Sequence, residues 1–399
     1  MQQLWAGIDA GKSHHHCVVL DSDGTRLLSR RVTNDETELG ALIDDACNLS
    51  AGGSVTWAVD LNHGGAALLI ALLAEHKQHV LYIPGRVVYH AAGSYRGDSK
   101  TDAKDAAIIA DQARMRRDLH PVRVDDEIGV ELGILTSRRT DLMRDRTRAI
   151  NRLRALLSTY FPALERSLDI SNAKGSLILL SGYQTPDAIR RLGRTRLEAW
   201  LRKRKAYNAT HIAAKAVAAA QSQYTRLAGQ DVAAMTVAKL AVQITRIDGE
   251  IAELDRDIAE RFRRHHHAEV IESMPGFGPV LGAELLAATG GGLAAFDTPD
   301  RLAGVAGLAP VPRDSGRVSG NLRRPRRYDR RLLRVFYLSA QLSLQSCQAS
   351  QTYYARKRAQ GKRHTQAVLA LARRRLNVLW AMLRDNATYQ PGPAVASAA

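Results

Sequence analysis

The sequence predicts an α/β domain with a mixed sheet, followed by mainly helical regions. Three predicted strands open the chain, and alternating helices and strands follow them. From residue 126 onward, apolar residues recur instead at helical spacing. With 399 residues, of which 45% are hydrophobic, the chain is long enough for two or three domains with cores of their own.

The strands and helices of the first 125 residues follow one another in a definite order. The second and third strands are joined by a turn at 21–24, and Pro84-Gly85 ends the last strand. The predicted elements are the strands Leu4–Asp9, His15–Asp21, Arg26–Val32, Ser54–Asp60 and Val80–Ile83 and the helices Glu36–Asn48, Gly65–Lys77 and Thr101–Met115. Three strands followed by alternating helix and strand are typical of a mixed sheet of the RNase H type.

Four aspartates lie where this sheet and its last helix would place acidic groups. Asp9 follows the apolar run 4–8, and Asp60 closes the apolar run 55–59. Asp102 and Asp105 are three residues apart and therefore project from one face of a helix. Carboxylates from strand ends and one helix can hold two divalent ions, Mg²⁺ or Mn²⁺, about 3.5–4 Å apart, a geometry that clamps the attacking and leaving oxygens of a phosphodiester.

The helix that carries the last two aspartates has a second interpretation. Asp102 could be its N-cap, and Asp105 a first-turn acid that the helix dipole favours. The neighbouring Lys100 and Lys104 fit both interpretations, either as contacts to nucleic-acid phosphates or as local charge balance.

The middle of the chain, from 126 to 264, is predicted to be helical, with a coiled coil and a basic insertion. Helical spacing begins at 126–158, and a cleaner seam follows at Leu240, Ile244, Ile247, Ile251, Leu254 and Ile258. Its steps of 4-3-4-3-4 are those of a coiled coil, although an ordinary amphipathic helix in a bundle is an equal alternative. The segment 166–223, with its basic run Arg202–Lys205, gives no indication of its role.

The last part, 265–388, is predicted to be mainly helical, with a disordered tail at 389–399. Its predicted helices are Val280–Ala288, Asp329–Ser346 and Thr365–Leu383. The sequence Met274–Pro279 resembles a helix-hairpin-helix element, in which Gly276 and Gly278 would let the backbone approach a phosphate. A plain turn between two helices is the alternative.

A loop at 311–326 combines serines with a dense group of arginines. From Arg313 to Arg334 there are nine Arg and two Asp, a local charge of +7. Such a cluster would bind phosphates and stabilise a pentacovalent transition state. The expected phosphate contacts are Arg313, Arg317, Arg323, Arg324, Arg326 and Arg327. Chemistry alone does not separate Ser315 from Ser319 as a nucleophile, because a serine needs activation by a base or a metal.

Bulk composition limits the classes of function. The chain has 57 Lys and Arg against 40 Asp and Glu, a formal net charge of +17, which indicates a polyanionic partner such as nucleic acid. Three isolated cysteines, Cys17, Cys47 and Cys347, argue against a zinc ribbon or a disulfide framework. A secretory signal pattern and an uncharged apolar stretch of about 18 residues are both lacking, so we expect a cytoplasmic protein with no membrane partner.

Two histidine triplets complete the set of candidate residues. His14–His16 lies in a predicted strand, and His265–His267 lies at the end of a helix. Neither has a familiar metal-ligand spacing, so a surface role is the favoured interpretation of both.

These features together resemble a known family. The chain resembles bacterial insertion-sequence transposases of the IS110 family, which combine a RuvC-like DEDD domain with a C-terminal serine transposase domain. The resemblance covers nearly the whole chain and is most specific at Gly7–Lys12, Lys100–Asp105, Met274–Pro279, Gly304–Pro310, Ser315-Gly316 and the helix Ala367–Leu383.

The resemblance implies a mechanism and a domain plan. Asp9, Asp60, Asp102 and Asp105 would bind Mg²⁺ in a RuvC-like domain at 1–125, and Ser315, in the transposase domain at 265–388, would attack DNA to give a phosphoserine link. The family usually has Glu where this chain has Asp60, which is one methylene shorter.

The resemblance also implies partners. They are donor and target DNA, a structured guide (bridge) RNA encoded by the element, and further copies of the chain, from a dimer to a tetramer, in which the carboxylates of one protomer meet the serine of another. Nucleoid association in a bacterial cytoplasm would follow. Two alternatives remain: a RuvC-like junction nuclease without serine catalysis, and a non-catalytic nucleic-acid-binding protein.

Overall fold

The computed structural model describes residues 2–61, 64–95, 101–122, 127–293, 296–312, 314–316, 319–323 and 325–391. The chain divides into two compact units, Met1–Asp125 and Asp126–Ala399. Each unit has hydrophobic clusters of its own. Among the described residues, the first unit holds the large sheet, and the second is helical apart from one short hairpin.

Six strands form the sheet of the first unit. They are β1 (Leu4–Ala10), β2 (His14–Leu20), β3 (Arg26–Thr33), β4 (Val55–Val59), β5 (His79–Tyr82) and β6 (His120–Pro121). Their order is β3-β2-β1-β4-β5-β6. The first strand is antiparallel to β2 and parallel to β4, which in turn is parallel to β5. The mixed sheet predicted from the sequence is confirmed, and β1 lies near its centre.

Four helices accompany this sheet. They are α1 (Glu36–Leu49), α2 (Ala67–Glu75), α3 (Gly85–Ala92) and α4 (Asp102–Met115), and a short 3₁₀ turn at Gly64–Ala66 precedes α2. Three of them were predicted, with bounds that differ by at most two residues at each end. Helix α3 was not predicted, because Pro84-Gly85 was interpreted only as the end of a strand. Proline before the first helical residue is also compatible with a helix start.

The two faces of the sheet bury different sets of side chains. Leu4, Ala6 and Ile8 of β1 lie in one core with residues of α1 and α2. On the other face, α4 approaches the sheet so closely that a Cβ added at Gly7 would lie 2.2 Å from the carbonyl oxygen of Ala106. Gly7 therefore permits a helix–sheet contact that no other residue type would allow.

The second unit contains twelve helices among its described residues. They are α5 (Glu127–Tyr160), α6 (Pro162–Ser167), α7 (Lys174–Gly182), α8 (Pro186–Lys203), α9 (Ala209–Gln221), α10 (Gln230–Arg263), α11 (Ala268–Ser273), α12 (Pro279–Thr289), α13 (Pro299–Val305), α14 (Arg330–Ser343), α15 (Gln348–Ala359) and α16 (His364–Arg384). A hairpin of β7 (Val311–Pro312) and β8 (Leu322–Arg323) lies between α13 and α14. Within the described ranges, every helix is too short or too polar to cross a lipid bilayer.

Helices α5 and α10, each of 34 residues, pack lengthwise against each other. Ion pairs join them at Arg138–Glu250, Arg139–Asp255 and Arg146–Asp248. Arg139 pairs with Asp255, whereas Arg146, further along α5, pairs with Asp248, which is earlier in α10. The two helices are therefore antiparallel. Of the predicted seam, Ile244, Ile247, Ile251 and Ile258 are buried, while Leu240 and Leu254 are half-buried.

A separate core holds the C-terminal helices together. It combines the end of α10 with α11, α12, α13, α14 and α16. The helix predicted at Asp329–Ser346 ends earlier, at Ser343, and α15, which was not predicted, begins after Cys347. Of the tail predicted at 389–399, Tyr389 donates its backbone N–H to Ser273 Oγ at 2.9 Å, and residues 392–399 lie outside the described residues.

Candidate catalytic site

Two of the four aspartates lie side by side at the ends of neighbouring strands. Ile8 of β1 is paired with Val59 of β4 in parallel register, and Asp9 and Asp60 are the next residues along each strand. Adjacent strands are about 4.8 Å apart. The backbone N–H of Ala10 donates to Asp60 Oδ1 at 3.3 Å, which ties the second carboxylate to the first strand. Both aspartates are half-buried.

The other two aspartates occupy the first turn of α4. Thr101 is the N-cap of this helix, and its Oγ1 accepts a hydrogen bond from the backbone N–H of Lys104 at 3.2 Å. The interpretation of Asp102 as the N-cap is therefore wrong, since the threonine before it already fills that role. Asp102 is exposed, whereas Asp105 is half-buried.

The close approach of α4 to β1 brings Asp105 to the same edge of the sheet. The carbonyl of Ala106, the residue after Asp105, lies against Gly7, two residues before Asp9. Burial raises the pKa of Asp60 from its usual range, and the negative charge of Asp105 raises it further. The Ala10 N–H and the ring of His15 act in the opposite direction. Asp9, Asp60 and Asp105 thus form one acidic group on the α4 side of the sheet.

Oxygen donors of this kind suit a hard divalent cation such as Mg²⁺. The raised pKa of Asp60 marks a place where a bound positive charge would favour the ionised carboxylate. Within the described ranges, however, no three His, Cys, Asp or Glu side chains are arranged to hold one metal ion. The residues fit a divalent metal by their chemistry and by their position on one edge of the sheet.

One histidine of β2, His16, borders the acidic group on the α4 side of the sheet. His16 pairs with Asp9 across the sheet, and its Nε2 lies 3.0 Å from Ser29 Oγ. Burial lowers the pKa of His16, and the charge of Asp102 partly opposes that shift. His15, the residue before His16, points to the opposite face of the sheet, because the side chains of successive strand residues alternate.

His15 is 1% exposed, and among the described residues neither of its ring nitrogens has a hydrogen-bond partner. Burial lowers the pKa of His15, and the nearby Asn34 and Asp60 oppose that shift. The expected surface role is therefore wrong for His15. The signal that would have found it is the two-residue alternation of β2, which places His15 on the same face as the buried Cys17 and Val19.

The second histidine triplet is also partly internal. His265 is buried, and the three rings of His265–His267 pack against one another with centroids 4.0–5.6 Å apart. The backbone N–H of His267 donates to His265 Nδ1 at 3.1 Å. A surface role is therefore wrong for His265 as well.

Ser315 belongs to the second unit and is exposed between β7 and β8. Asp314 Oδ1 accepts the backbone N–H of Asn321 at 3.0 Å, a contact that bridges the hairpin. Ser319 is exposed as well, so exposure does not distinguish the two serines. Of the expected phosphate contacts, Arg323, Arg326 and Arg327 are exposed on and after β8, Lys104 is half-buried, and Lys100, Arg313, Arg317 and Arg324 lie outside the described residues.

The Pro275–Gly278 turn joins α11 to α12 and is anchored from within the unit. Gly276 has φ +85°, and a Cβ there would lie 2.4 Å from the carbonyl oxygen of Ser339 on α14. Arg375 of α16, which is 3% exposed, donates to the Pro275 carbonyl and, through Nη2 at 2.7 Å, to Ser339 Oγ. Gly276 thus lets the backbone of the turn approach α14 closely. A Cβ added at Gly278 would meet nothing within 4 Å.

Family models match both units of the chain. A model for DEDD transposases of the IS110 type, described as a transposase, matches residues 6–162. A second model, described as a transposase of the IS116/IS110/IS902 family, matches residues 268–355. The first match contains the acidic group, and the second contains the hairpin with Ser315.

Three insertion-element proteins are similar to the chain over nearly its whole length. The IS900 protein of Mycobacterium paratuberculosis is 63% identical over 397 residues, which cover 100% of both chains. The IS116 protein of Streptomyces clavuligerus is 51% identical over 397 residues, 100% of this chain and 98% of its own. The IS110 protein of Streptomyces coelicolor is 36% identical over 389 residues, 97% and 95% of the two chains. Because identity this high extends over both units, the chain belongs to the IS116/IS110/IS902 family of transposases, enzymes that recombine DNA.

Proposed function

We propose that this transposase excises and inserts its own insertion element through a serine–DNA intermediate, with a divalent metal, Mg²⁺ or Mn²⁺, and a structured guide RNA. The observation that carries the proposal is the position of Asp9, Asp60 and Asp105 on one sheet edge in a chain of a transposase family. Acidic groups in this setting suit phosphodiester chemistry.

In the proposed step, Ser315 Oγ attacks a phosphorus atom of the DNA backbone. An Oγ–P bond forms while the bond from that phosphorus to one deoxyribose oxygen breaks. The serine loses its proton, and the freed sugar oxygen takes one up to become a hydroxyl. The exposed position of Ser315 between β7 and β8 supports access of the hydroxyl to a DNA strand. The attack of a sugar hydroxyl on the phosphoserine would reverse the step and join a new strand.

The aspartates Asp9, Asp60, Asp102 and Asp105 would hold the metal. When bound, the metal would neutralise charge on the scissile phosphate and favour the ionised form of the attacking hydroxyl. The hydrogen bond from the Ala10 N–H would keep the short Asp60 side chain directed along the sheet edge. Asp102, which is exposed, would be the metal ligand on the solvent side of the site.

The basic side chains would position the nucleic acid. Exposed Arg323, Arg326 and Arg327, with Arg313, Arg317 and Arg324, would bind the backbone of donor and target DNA. Lys100 and Lys104 would contact phosphates next to the acidic group, and Gly278 and Gly276 would belong to a helix-hairpin-helix contact.

We further infer a three-part organisation: a RuvC-like domain at 1–125, a coiled-coil region at 126–264 built on α5 and α10, and a transposase domain at 265–388. The active assembly would be a dimer to tetramer in the bacterial cytoplasm, associated with the nucleoid. The net charge of +17 supports an assembly that binds both DNA and RNA.

A trapped protein–DNA adduct tests the proposal. End-labelled element DNA is incubated with the protein, its co-purified RNA and Mg²⁺, and the products are separated on a denaturing gel. We expect a covalent adduct that Ser315→Ala abolishes, while DNA and RNA binding persist. Ser319→Ala, on the same hairpin, is the matched control and should keep the adduct. An adduct that survives Ser315→Ala would remove this serine from the mechanism, and cleavage without any adduct would indicate a junction nuclease.

A further inference from the structure

The loop between α8 and α9 exposes an aromatic side chain from a firmly held backbone. Tyr207 is 84% exposed, whereas the residues near it in the chain, Ala206 and Ala209, are buried. Lys205 and Asn208 adopt left-handed conformations, with φ of +57° and +58°, which turn the chain sharply on both sides of Tyr207. Asparagine tolerates the left-handed region, but it is unfavourable for lysine, so the contacts around Lys205 must maintain the conformation there.

Those contacts are specific. The N–H of Ala206 donates to the Leu201 carbonyl at 3.1 Å, and the N–H of Lys205 donates to the Arg202 carbonyl at 2.9 Å. The carbonyl oxygen of Tyr207 lies 3.1 Å from where a Cβ of Gly175 on α7 would be. The loop backbone is therefore packed onto α7, and the tyrosine ring projects outward from a rigid base.

Four consecutive cations, Arg202 to Lys205, span the end of α8 and the start of this loop. Arg202 is paired with Glu198 at 2.6 Å. Lys203, Arg204 and Lys205 are exposed and have no acidic partner within 4 Å among the residues that the structure describes. Uncompensated cations so close together repel one another, and a polyanion would relieve that repulsion.

One of these cations lies over an aromatic ring. The Arg204 guanidinium lies over the Trp200 ring, 3.9 Å from its centroid. Trp200 is held in turn by an edge-to-face contact with Tyr183, with centroids 5.0 Å apart, and it packs directly on Gly182. A guanidinium that lies over an indole can still donate to a phosphate through the N–H groups that point away from the ring.

A protruding tyrosine, a stacked arginine and unpaired lysines are the elements with which proteins hold unpaired nucleotides. A base inside a duplex has no exposed face on which Tyr207 can stack. Double-stranded DNA would therefore interact with the basic side chains only. RNA hairpins present unpaired bases in their loops, whereas the DNA that a transposase recombines is a duplex. We propose that the end of α8 and the α8–α9 loop, with Trp200, Arg204 and Tyr207 at the centre of this surface, bind an unpaired loop of a structured RNA.

This inference rests on the RNA partner of the proposed function and gives that partner a contact outside the catalytic elements. The test is equilibrium binding of the full-length protein to a fluorescently labelled RNA hairpin with an unpaired loop. A fully paired RNA duplex and single-stranded DNA of the loop sequence are the comparison ligands. We expect the hairpin to bind most tightly.

Tyr207→Ala should weaken hairpin binding by about tenfold, as expected for the loss of one stacked base. Tyr207→Phe should restore it, because the ring is retained. Arg204→Ala should weaken binding and reduce its salt dependence by about 0.7 in the log–log slope. Arg226→Ala removes an exposed cation of the same unit that is paired with Asp231, and this control should bind as the unchanged protein does.

Three results would overturn the proposal: equal binding of Tyr207→Ala and the unchanged protein, equal binding of hairpin and duplex, or preference for single-stranded DNA. If the unchanged protein binds no RNA, the RNA-guided part of the proposed function fails with it. If it binds RNA and Tyr207→Ala has no effect, only the assignment of this surface fails. Thermal unfolding of each variant would show that the fold is kept.

Discussion

The carboxylates of Asp60 and Asp105 lie close enough for the charge of Asp105 to raise the pKa of Asp60, although a strand and two helices separate them in the chain. Their proximity depends on the approach of α4 to β1 at Gly7. Three elements therefore determine the acidic group: the end of β1, the end of β4 and the first turn of α4.

The first test concerns Gly7. In Gly7→Ala the new Cβ would meet the backbone of Ala106 and Ala110 at 2.2 Å, so α4 must move away from the sheet. We expect a loss of about 1–3 kcal/mol in the free energy of unfolding, and weaker Mn²⁺ binding because Asp105 moves with α4. Gly40→Ala on α1 is the control, since a Cβ there meets nothing within 4 Å. It should stabilise the protein by about 0.5–1 kcal/mol, and destabilisation by both substitutions would contradict the argument.

The second test concerns Asp60. Because its pKa is raised in the folded protein, its contribution to stability is present at low pH and is lost as the pH rises through the raised pKa. Asp60→Asn keeps the acceptor for the Ala10 N–H and removes the charge. In chelator at pH 8 we expect this variant to be at least as stable as the unchanged protein, by thermal unfolding, with no recombination activity and weaker metal binding by calorimetry.

Asp44→Asn, at an exposed position on α1, is the matched control and should change none of these properties. A lower melting temperature of Asp60→Asn in chelator would show that the charged form of Asp60 stabilises the fold without metal.

The third test concerns His267. Burial, together with the neighbouring His266 and His265, lowers its pKa from 6.5 to about 4. The neutral ring is favoured in the folded state, so its contribution to stability is present above pH 6.5 and is lost as the pH falls toward 4. His267→Gln should flatten the decrease in melting temperature between these values. His211→Gln, at an exposed position on α9, should leave the decrease unchanged, and an unaltered profile in His267→Gln would exclude this residue as its source.

The fourth test concerns Arg375. Arg375→Met keeps an apolar chain of similar length but leaves the Pro275 carbonyl and Ser339 Oγ without their donor. We expect a loss of about 1–3 kcal/mol in the free energy of unfolding, and weaker DNA binding in a mobility-shift assay because the turn at 275–278 loosens. Arg374→Met, on the exposed side of α16, removes the same charge and should leave stability nearly unchanged. Equal stability of the two variants would argue against an anchoring role.

The sequence predicted the sheet well because β1 and β4 are apolar and clear turn signals separate the strands. Asp9 and Asp60 could be placed side by side because each ends such a strand. The cap at Thr101, by contrast, competed with Asp102, since both residue types are good N-caps and only the structure distinguishes them.

Long-range packing could not be predicted. The contact of Gly7 with Ala106 joins residues that no local pattern relates, and the anchor of Pro275 by Arg375 joins residues a hundred positions apart. The burial of His15 was predictable from the alternation of β2, but the histidine type favoured a surface interpretation. The basic run at 202–205 gave no sign of its role, because the exposure of Tyr207 depends on the loop's tertiary contacts.

The antiparallel pair of α5 and α10 has a consequence for how the family can vary. At about 1.5 Å per residue, each helix is about 51 Å long. One end of the α5–α10 pair lies in the C-terminal core. Residues 161–229 connect the two helices at the opposite end of the pair. The segment 161–229 can therefore become longer or shorter, or be replaced, without disrupting the C-terminal core near the hairpin that carries Ser315. Substitutions in this segment can therefore change what it binds without changing the C-terminal core.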